Sequence, residues 1–305
     1  MFSTLTVFLA AAAVAQAASS SASAPNAGPT GNPYIPTSIS QTCQGYLTQM
    51  DTDADLAKCT SSLLSATAGF APNGNLTTAT KQQITDTLTN ICSASFTSSC
   101  PQNLITGKLA DFYAKCGPEL TSSPNAQVKT IYDTVYTLLP LLSTLCSKDN
   151  SGEWCVPQAN STSTSALLAP AVQLKVSKRA DAVTAYMPNA TAIDSNNILF
   201  LFLSSSLPKE QLCTDCTAAV LKSYMTFEAG TNYAPGLAQS VLMSGQPALY
   251  QAVASTCGSD FLSGAVKAAG SLGQGSGKGA SGAVATRGSV IAVLAGALGS
   301  AAFFL

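Results

Sequence analysis

Ten cysteines, at positions 43, 59, 92, 100, 116, 146, 155, 213, 216 and 257, constrain what this chain can fold into more than any other feature. An even set of thiols becomes a disulfide framework only where the compartment is oxidising. The ends of the chain supply that context. Met1 to Thr4 precede an apolar run from Leu5 to Val14, closed by Ala15-Gln16-Ala17. A short apolar stretch followed by a small-x-small triplet is a signal-peptide pattern, with cleavage expected after Ala17. The run is too short to span a bilayer, which takes about 20 apolar residues. All ten cysteines, Cys43, Cys59, Cys92, Cys100, Cys116, Cys146, Cys155, Cys213, Cys216 and Cys257, are therefore expected in disulfides, five in number if every one pairs.

The other end carries a second processing pattern. Small residues around Gly279-Ala280-Ser281 are followed by a short spacer and by an apolar tail from Val290 to Leu305. Small residues, a spacer of about 8–12 residues and a hydrophobic tail of about 10–20 form the signal for a glycosylphosphatidylinositol (GPI) anchor. Gly279 is the expected attachment residue, with Ser276, Gly277 and Ala280 as neighbouring alternatives. A membrane-spanning helix fits less well, because the tail is rich in Ala and Gly and no basic cluster follows it.

Charged residues make up 10% of the chain, against about 25% in ordinary soluble domains. Ser and Thr fill much of the difference, while a hydrophobic content of 46% leaves ample material for a core. With a net charge of −1 there is no basic field for nucleic acid. Asn75, Asn160 and Asn189 each open an Asn-x-Ser/Thr sequon, so N-linked sugars are expected on this surface.

Apolar spacing reads as helix. Cys43, Tyr46, Leu47 and Met50 recur at i, i+3, i+4 and i+7; Leu56, Cys59 and Leu63 continue likewise. Ile84, Leu88 and Ile91 mark a helix entered near Thr77 or Thr78, and residues 104–113 another, closed by Cys116-Gly117-Pro118. The longest stripe runs from Val128 to Leu145 with Pro140 inside it. The periodicity fades over 156–195 and resumes at Ile198-Leu199-Phe200-Leu201-Phe202-Leu203, read here as helix. Further helices are expected from Pro208 through Tyr224, over 237–243 and over 247–257.

The expected fold is therefore all-α, a disulfide-rich helical ectodomain. Its divisions are a signal peptide (1–17), a flexible leader (18–38), a first helical part (39–155), a linker (156–195), a second helical part (196–267), a Gly/Ser stalk with the anchor site (268–289) and a removed tail (290–305). The segments from Leu104 to Cys116-Gly117 and from Leu242 to Cys257-Gly258 resemble one another, so two related halves are one arrangement. Cys146 and Cys155 flank a turn-rich loop and could bridge locally. Three cysteines follow the linker, an odd number, so if all ten pair and that bridge forms, at least one disulfide must join the two parts. Lys178-Arg179 within the linker is a candidate dibasic processing site.

Catalytic options are few. The chain has no histidine, which removes Ser-His-Asp and Cys-His nucleophilic chemistry and His-ligated zinc or haem. Cys213-Thr214-Asp215-Cys216 lacks the second Cys pair of a zinc site and the βαβ context of a redox site, so its cysteines are expected to be structural. Asp51-Thr52-Asp53-Ala54-Asp55 begins like a calcium loop, but Leu56 replaces the required Gly; a helix cap is the expected role. Asp111, Glu119, Asp133, Glu153 and Glu228 are the carboxylates a glycoside hydrolase could use, though nothing in their spacing brings them together. No catalytic residue, cofactor or metal is expected.

The leader with Ala15-Gln16-Ala17, the Cys146…Glu153-Trp154-Cys155 loop, the Leu207-Pro208…Cys213-Thr214-Asp215-Cys216-Thr217 segment and the Gly-rich tail together resemble fungal cysteine-rich, Ser/Thr-rich, GPI-anchored surface proteins of an uncharacterised domain family. The resemblance implies a disulfide-rich helical fold on the outer face of the plasma membrane or in the cell wall. Its implied partners are the membrane, through the lipid, and wall polysaccharide; it transfers no catalytic residues. The alternative expectation is a secreted helical module that binds a lipid or another small apolar ligand.

Overall fold

The computed structural model describes residues 32–67, 80–93, 98–158, 172–176, 184–258 and 260–262. The signal peptide, Asn75, Asn160, Lys178, Arg179, the stalk with Gly279 and the apolar tail lie outside the described residues. So does most of the leader. Its last residues do not behave as a leader: Tyr34 and Ile35 are buried in the core, and Asn32 Nδ2 donates to Asp51 Oδ1 at 2.8 Å.

Among the described residues five helices of ten or more residues build the first part. Helix α1 (Gln41–Met50) starts at Ser40, whose hydroxyl accepts from Cys43 N, and buries the four stripe residues Cys43, Tyr46, Leu47 and Met50. Asp53 opens α2 (Ala54–Thr67) by accepting from Asp55 N and Leu56 N at 3.1 and 2.9 Å, so this acidic cluster includes a helix cap. Helix α3 (Lys81–Ile91) begins with a capping box between Thr80 and Gln83, slightly later than Thr77 or Thr78. Helix α4 (Gln102–Leu120) passes through the expected stop. Cys116 leaves helical geometry (φ −118°), yet Pro118 fits the start of a further turn and the helix resumes to Leu120.

Helix α5 (Ala126–Leu145) is the centre of the molecule. Asn125 caps it, and it is buried on nearly all sides from Val128 onward, which is how a helix surrounded by other helices differs from one with a single apolar face. It packs on α4 and on the later helix over Asp215–Gly230, while α1 packs on α4 and α2 on α3.

After Val156–Gln158, a short 3-10 turn, the expected linker carries structure of its own. Strands β1 (Val172–Val176) and β2 (Thr184–Pro188) pair antiparallel, with Val172 opposite Pro188 and Val176 opposite Thr184. Helix α6 (Ala190–Ser195) follows, capped by the Asn189 side chain and burying Ile193. Residues 198–203 are not a helix. Ile198–Phe200 form one 3-10 turn, after which Leu201 (φ 52°) and Phe202 (φ 65°) turn left-handed.

The helix expected from Pro208 to Tyr224 is broken at Cys213 into α7 (Lys209–Leu212) and α8 (Asp215–Gly230), the second capped by Thr214. Only Leu237–Gln239 of 237–243 is helical, as a 3-10 turn. Helix α9 (Gln246–Cys257) is the last element among the described residues. Gly258, at φ 90°, ends α9, whereas Gly117 sits inside α4; the two resembling segments therefore end differently. One core cluster runs from Tyr34 to Leu262 and includes both parts. Along it, edge-to-face aromatic pairs connect Tyr46, Phe112, Tyr132, Tyr233, Tyr136 and Phe227 in sequence, with centroids 5.0–5.6 Å apart.

All ten cysteines pair. Cys43–Cys116, Cys59–Cys100 and Cys92–Cys146 lie within the first part, Cys213–Cys257 within the second, and Cys155–Cys216 joins the two. The crossing bond expected from the odd count is present. The local Cys146–Cys155 bridge is not, because backbone hydrogen bonds close that loop: Cys155 N donates to Ser147 O at 3.0 Å and Asp149 N to Glu153 O at 2.9 Å. Cys146 at the end of α5 is then free to meet Cys92 at the end of α3, and Cys155 meets the start of α8.

Candidate functional site

Where the second part meets the end of the first, a pocket of about 250 Å³ opens beside the Cys155–Cys216 disulfide. It is shaped by the 3-10 turn at 198–200. Ile198, Leu199 and Phe200 are buried; Phe200 lies 4.5 Å from the ring of Tyr224, and Tyr224 Oη donates to Leu199 O at 2.9 Å. With the turn fixed in the core, the chain must reverse within two residues to stay on the surface. Leu201 and Phe202 do so in left-handed geometry, held by Phe202 N donating to Asn197 O at 2.9 Å. Left-handed backbone costs an L-residue about 1–2 kcal/mol, so two consecutive bulky examples are strain that the surrounding core maintains.

The strained corner forms one wall. Leu201 and Phe202 line it, with Leu207 and Val220 opposite and the disulfide sulfurs beside them. Gln158, Glu210 and Gln211 are exposed lining residues and make the rim; Glu210 is the one ionisable group among the described lining residues. Gln158 also donates from Nε2 to Asp149 Oδ2 at 2.7 Å, which places a second carboxylate behind the rim. Asp149 is held down to about 2 by hydrogen bonds, first from Ser151 and then from Gln158. It is therefore ionised at neutral pH.

Of the apolar runs Leu138 to Leu145 and Ile198 to Leu203, the first is interior packing. The second, through Leu201, Phe202 and Leu203, lines this pocket. An unbroken six-residue apolar run lacks helical periodicity, and that was the available signal; the left-handed corner itself leaves no mark in a Leu-Phe pair.

The acidic residues do not assemble into a common site. Asp133, fully buried in α5, is the hub of a clasp: Tyr233 Oη donates to Oδ1, while Ser240 Oγ, Val241 N and Leu242 N donate to Oδ2 at 2.8, 2.6 and 3.0 Å. Burial pushes its carboxyl up to about 6, against the opposing pull of these donors. Glu228, buried in α8, accepts from Gln246 Nε2 at 2.5 Å and is pushed up to about 7, again by burial. Glu119 anchors the backbone N–H of Ser40, Asp111 is exposed on α4, and exposed Glu153 pairs with Lys81 at 3.5 Å. Asp133 and Glu228 are buried and hydrogen-bonded within the core.

Cys213 and Cys216 pair with different partners and not with each other. Among the described residues no group of three His, Cys, Asp or Glu side chains could hold a metal ion, and no helix is long and apolar enough to cross a membrane. Asn189, the one sequon asparagine among the described residues, is half-buried and uses its side-chain oxygen to cap α6. No family model, no curated protein and no solved structure matches the chain.

Proposed function

We infer that this protein is a GPI-anchored, glycosylated surface protein with a structural or interaction role and no catalysis of its own. Five disulfides with no free cysteine are the chemistry of an extracellular protein. The observation that carries the reading is their placement. Every cross-link lies between Cys43 and Cys257, so removing residues 1–17 and everything after Gly279 would leave each of them intact. Asn75, Asn160 and Asn189 would carry sugars, and the lipid would hold the protein to the outer leaflet or pass it to wall polysaccharide.

Mass spectrometry of the mature protein tests this reading. The expected N-terminus is Ala18 and the expected C-terminus a glycolipid-bearing Gly279, with release from intact cells by a phosphatidylinositol-specific phospholipase or a wall glucanase. A mature chain that still contains residues 290–305 would overturn it.

The pocket favours a second reading, a module that binds a small ligand. At about 250 Å³ it falls just below the roughly 300–1,000 Å³ of pockets for drug-sized molecules. It suits one short apolar chain and is too small for a two-chain lipid.

A further inference from the structure

Resting on that second reading, we propose that the pocket beside Cys155–Cys216 binds a small alkylammonium compound, its short apolar chain on Phe202, Leu207 and Val220 and its ammonium at Glu210. The volume sets the size. About 250 Å³ corresponds to on the order of eight water volumes, room for a chain of about six carbons. The wall chemistry sets the tail: the buried lining is Leu201, Val220, Cys155 and Thr217, which offer a chain dispersion contacts, and the Thr217 hydroxyl is already paired with that of Thr214 at 3.1 Å.

Charge sets the head group. Glu210 stands on the rim with no cation among the lining residues, and Asp149 lies one hydrogen bond behind Gln158. Just outside the lining, exposed Asp215 adds negative charge and exposed Lys209 offsets part of it. Within the lining itself the one charge is that of Glu210, which repels a carboxylate or phosphate head and attracts an ammonium. The strained corner adds preorganisation: Leu201 and Phe202 are already held in place, so a ligand need not order them.

Titration of the disulfide-intact mature protein with hexylamine, hexanol and hexanoate, followed by ligand-observed NMR, tests the assignment. Amine should bind more tightly than alcohol, and alcohol more tightly than carboxylate. Each step should be up to about fivefold, the upper range for an exposed charge pair. Glu210→Gln should bring the three within about twofold while keeping hexanol binding. Gln211→Trp, at an exposed rim position, should block all three with the circular dichroism spectrum unchanged; should that variant not fold, the order of the three probes and its collapse in Glu210→Gln decide. If none of the probes binds, the ligand reading falls and this assignment with it. Equal binding of the three, or preference for hexanoate, overturns the ammonium assignment and leaves the ligand reading standing. Binding that survives a folded Gln211→Trp variant places the ligand elsewhere and overturns the assignment of this pocket.

Discussion

Residues 41–146 and residues 189–262 share one core but are held in place differently. The first region uses helices of 10 to 20 residues, mostly capped by side chains, with apolar stripes facing inward and three disulfides of its own. The second, among the described residues, has two helices within that range, of 16 and 12 residues, two of six or fewer, and two 3-10 turns. All three non-glycine left-handed residues among the described ones, Asn197, Leu201 and Phe202, fall there. Short elements cannot satisfy their backbone internally or bury a full stripe. Buried carboxylates compensate: Asp133 reaches from the first region to fix 240–242, and Glu228 fixes Gln246 at the start of α9. Where helical periodicity stops organising the chain, directed hydrogen bonds to two acids take over.

The sharpest way to break this contrast is to remove Asp133. Asp133→Ala removes the acceptor of two hydroxyls and of the part-buried Val241 N, and leaves Leu242 N only its 3.3 Å bond to Ser240 Oγ. The expected loss is about 3–5 kcal/mol in chemical denaturation. Amide exchange should accelerate first at Val241 and Leu242, with α1 and α4, tied by Cys43–Cys116, protected longest. Uniform loss of protection across both regions would mean that the clasp is not what distinguishes them.

The pH dependence is smaller and tests the same contrast from the other acid. Glu228 holds its proton up to about 7 in the folded protein and to 4.5 in its ordinary state. Between those values the folded chain binds more protons, so raising the pH favours unfolding. Stability should be greatest below pH 4.5 as far as this group is concerned. It should fall by up to about 3 kcal/mol by pH 8, at 1.36 kcal/mol per pKa unit. Asp133, raised from 3.8 to about 6, acts in the same direction over a lower window. In urea denaturation Glu228→Gln should flatten the slope between pH 5 and 7; a slope unchanged by that substitution would assign it elsewhere.

In the first region the comparable test is local and smaller. Thr80→Ala removes the capping box of α3 and should cost about 1 kcal/mol. Gln83→Ala should add little once Thr80 is gone, because the two halves of the box depend on each other. A double-mutant cycle in thermal denaturation measures this.

These differences also explain what could be read in the sequence. The stripes Cys43–Met50, Ile84–Ile91 and Val128–Leu145 predicted helices because period and burial agree there. The odd number of cysteines after the linker predicted a bond between the parts, and Cys155–Cys216 is that bond. The partner choice was not legible: a turn-rich loop between Cys146 and Cys155 favours a local bridge until its backbone hydrogen bonds are known. The run 198–203 misled for a related reason. Six apolar residues fit a buried helix as well as a turn that enters the core and leaves it left-handed. Asp133 and Glu228 stood out only by the scarcity of acids; their burial depends on residues about 100 and 18 positions away, beyond any local pattern. The pocket inherits both difficulties, since it is made from that turn and that disulfide.

The Cys155–Cys216 bond has one more consequence. It closes a covalent ring over a sequence separation of 61 residues, and Lys178-Arg179 lies within that stretch. A single peptide-bond break anywhere in the ring would open a loop without dividing the molecule. After a cut at Lys178-Arg179 the nicked protein would keep its size on a non-reducing gel, and a thiol would separate it into two chains: one ending at the cut, the other carrying Cys213 and Cys257.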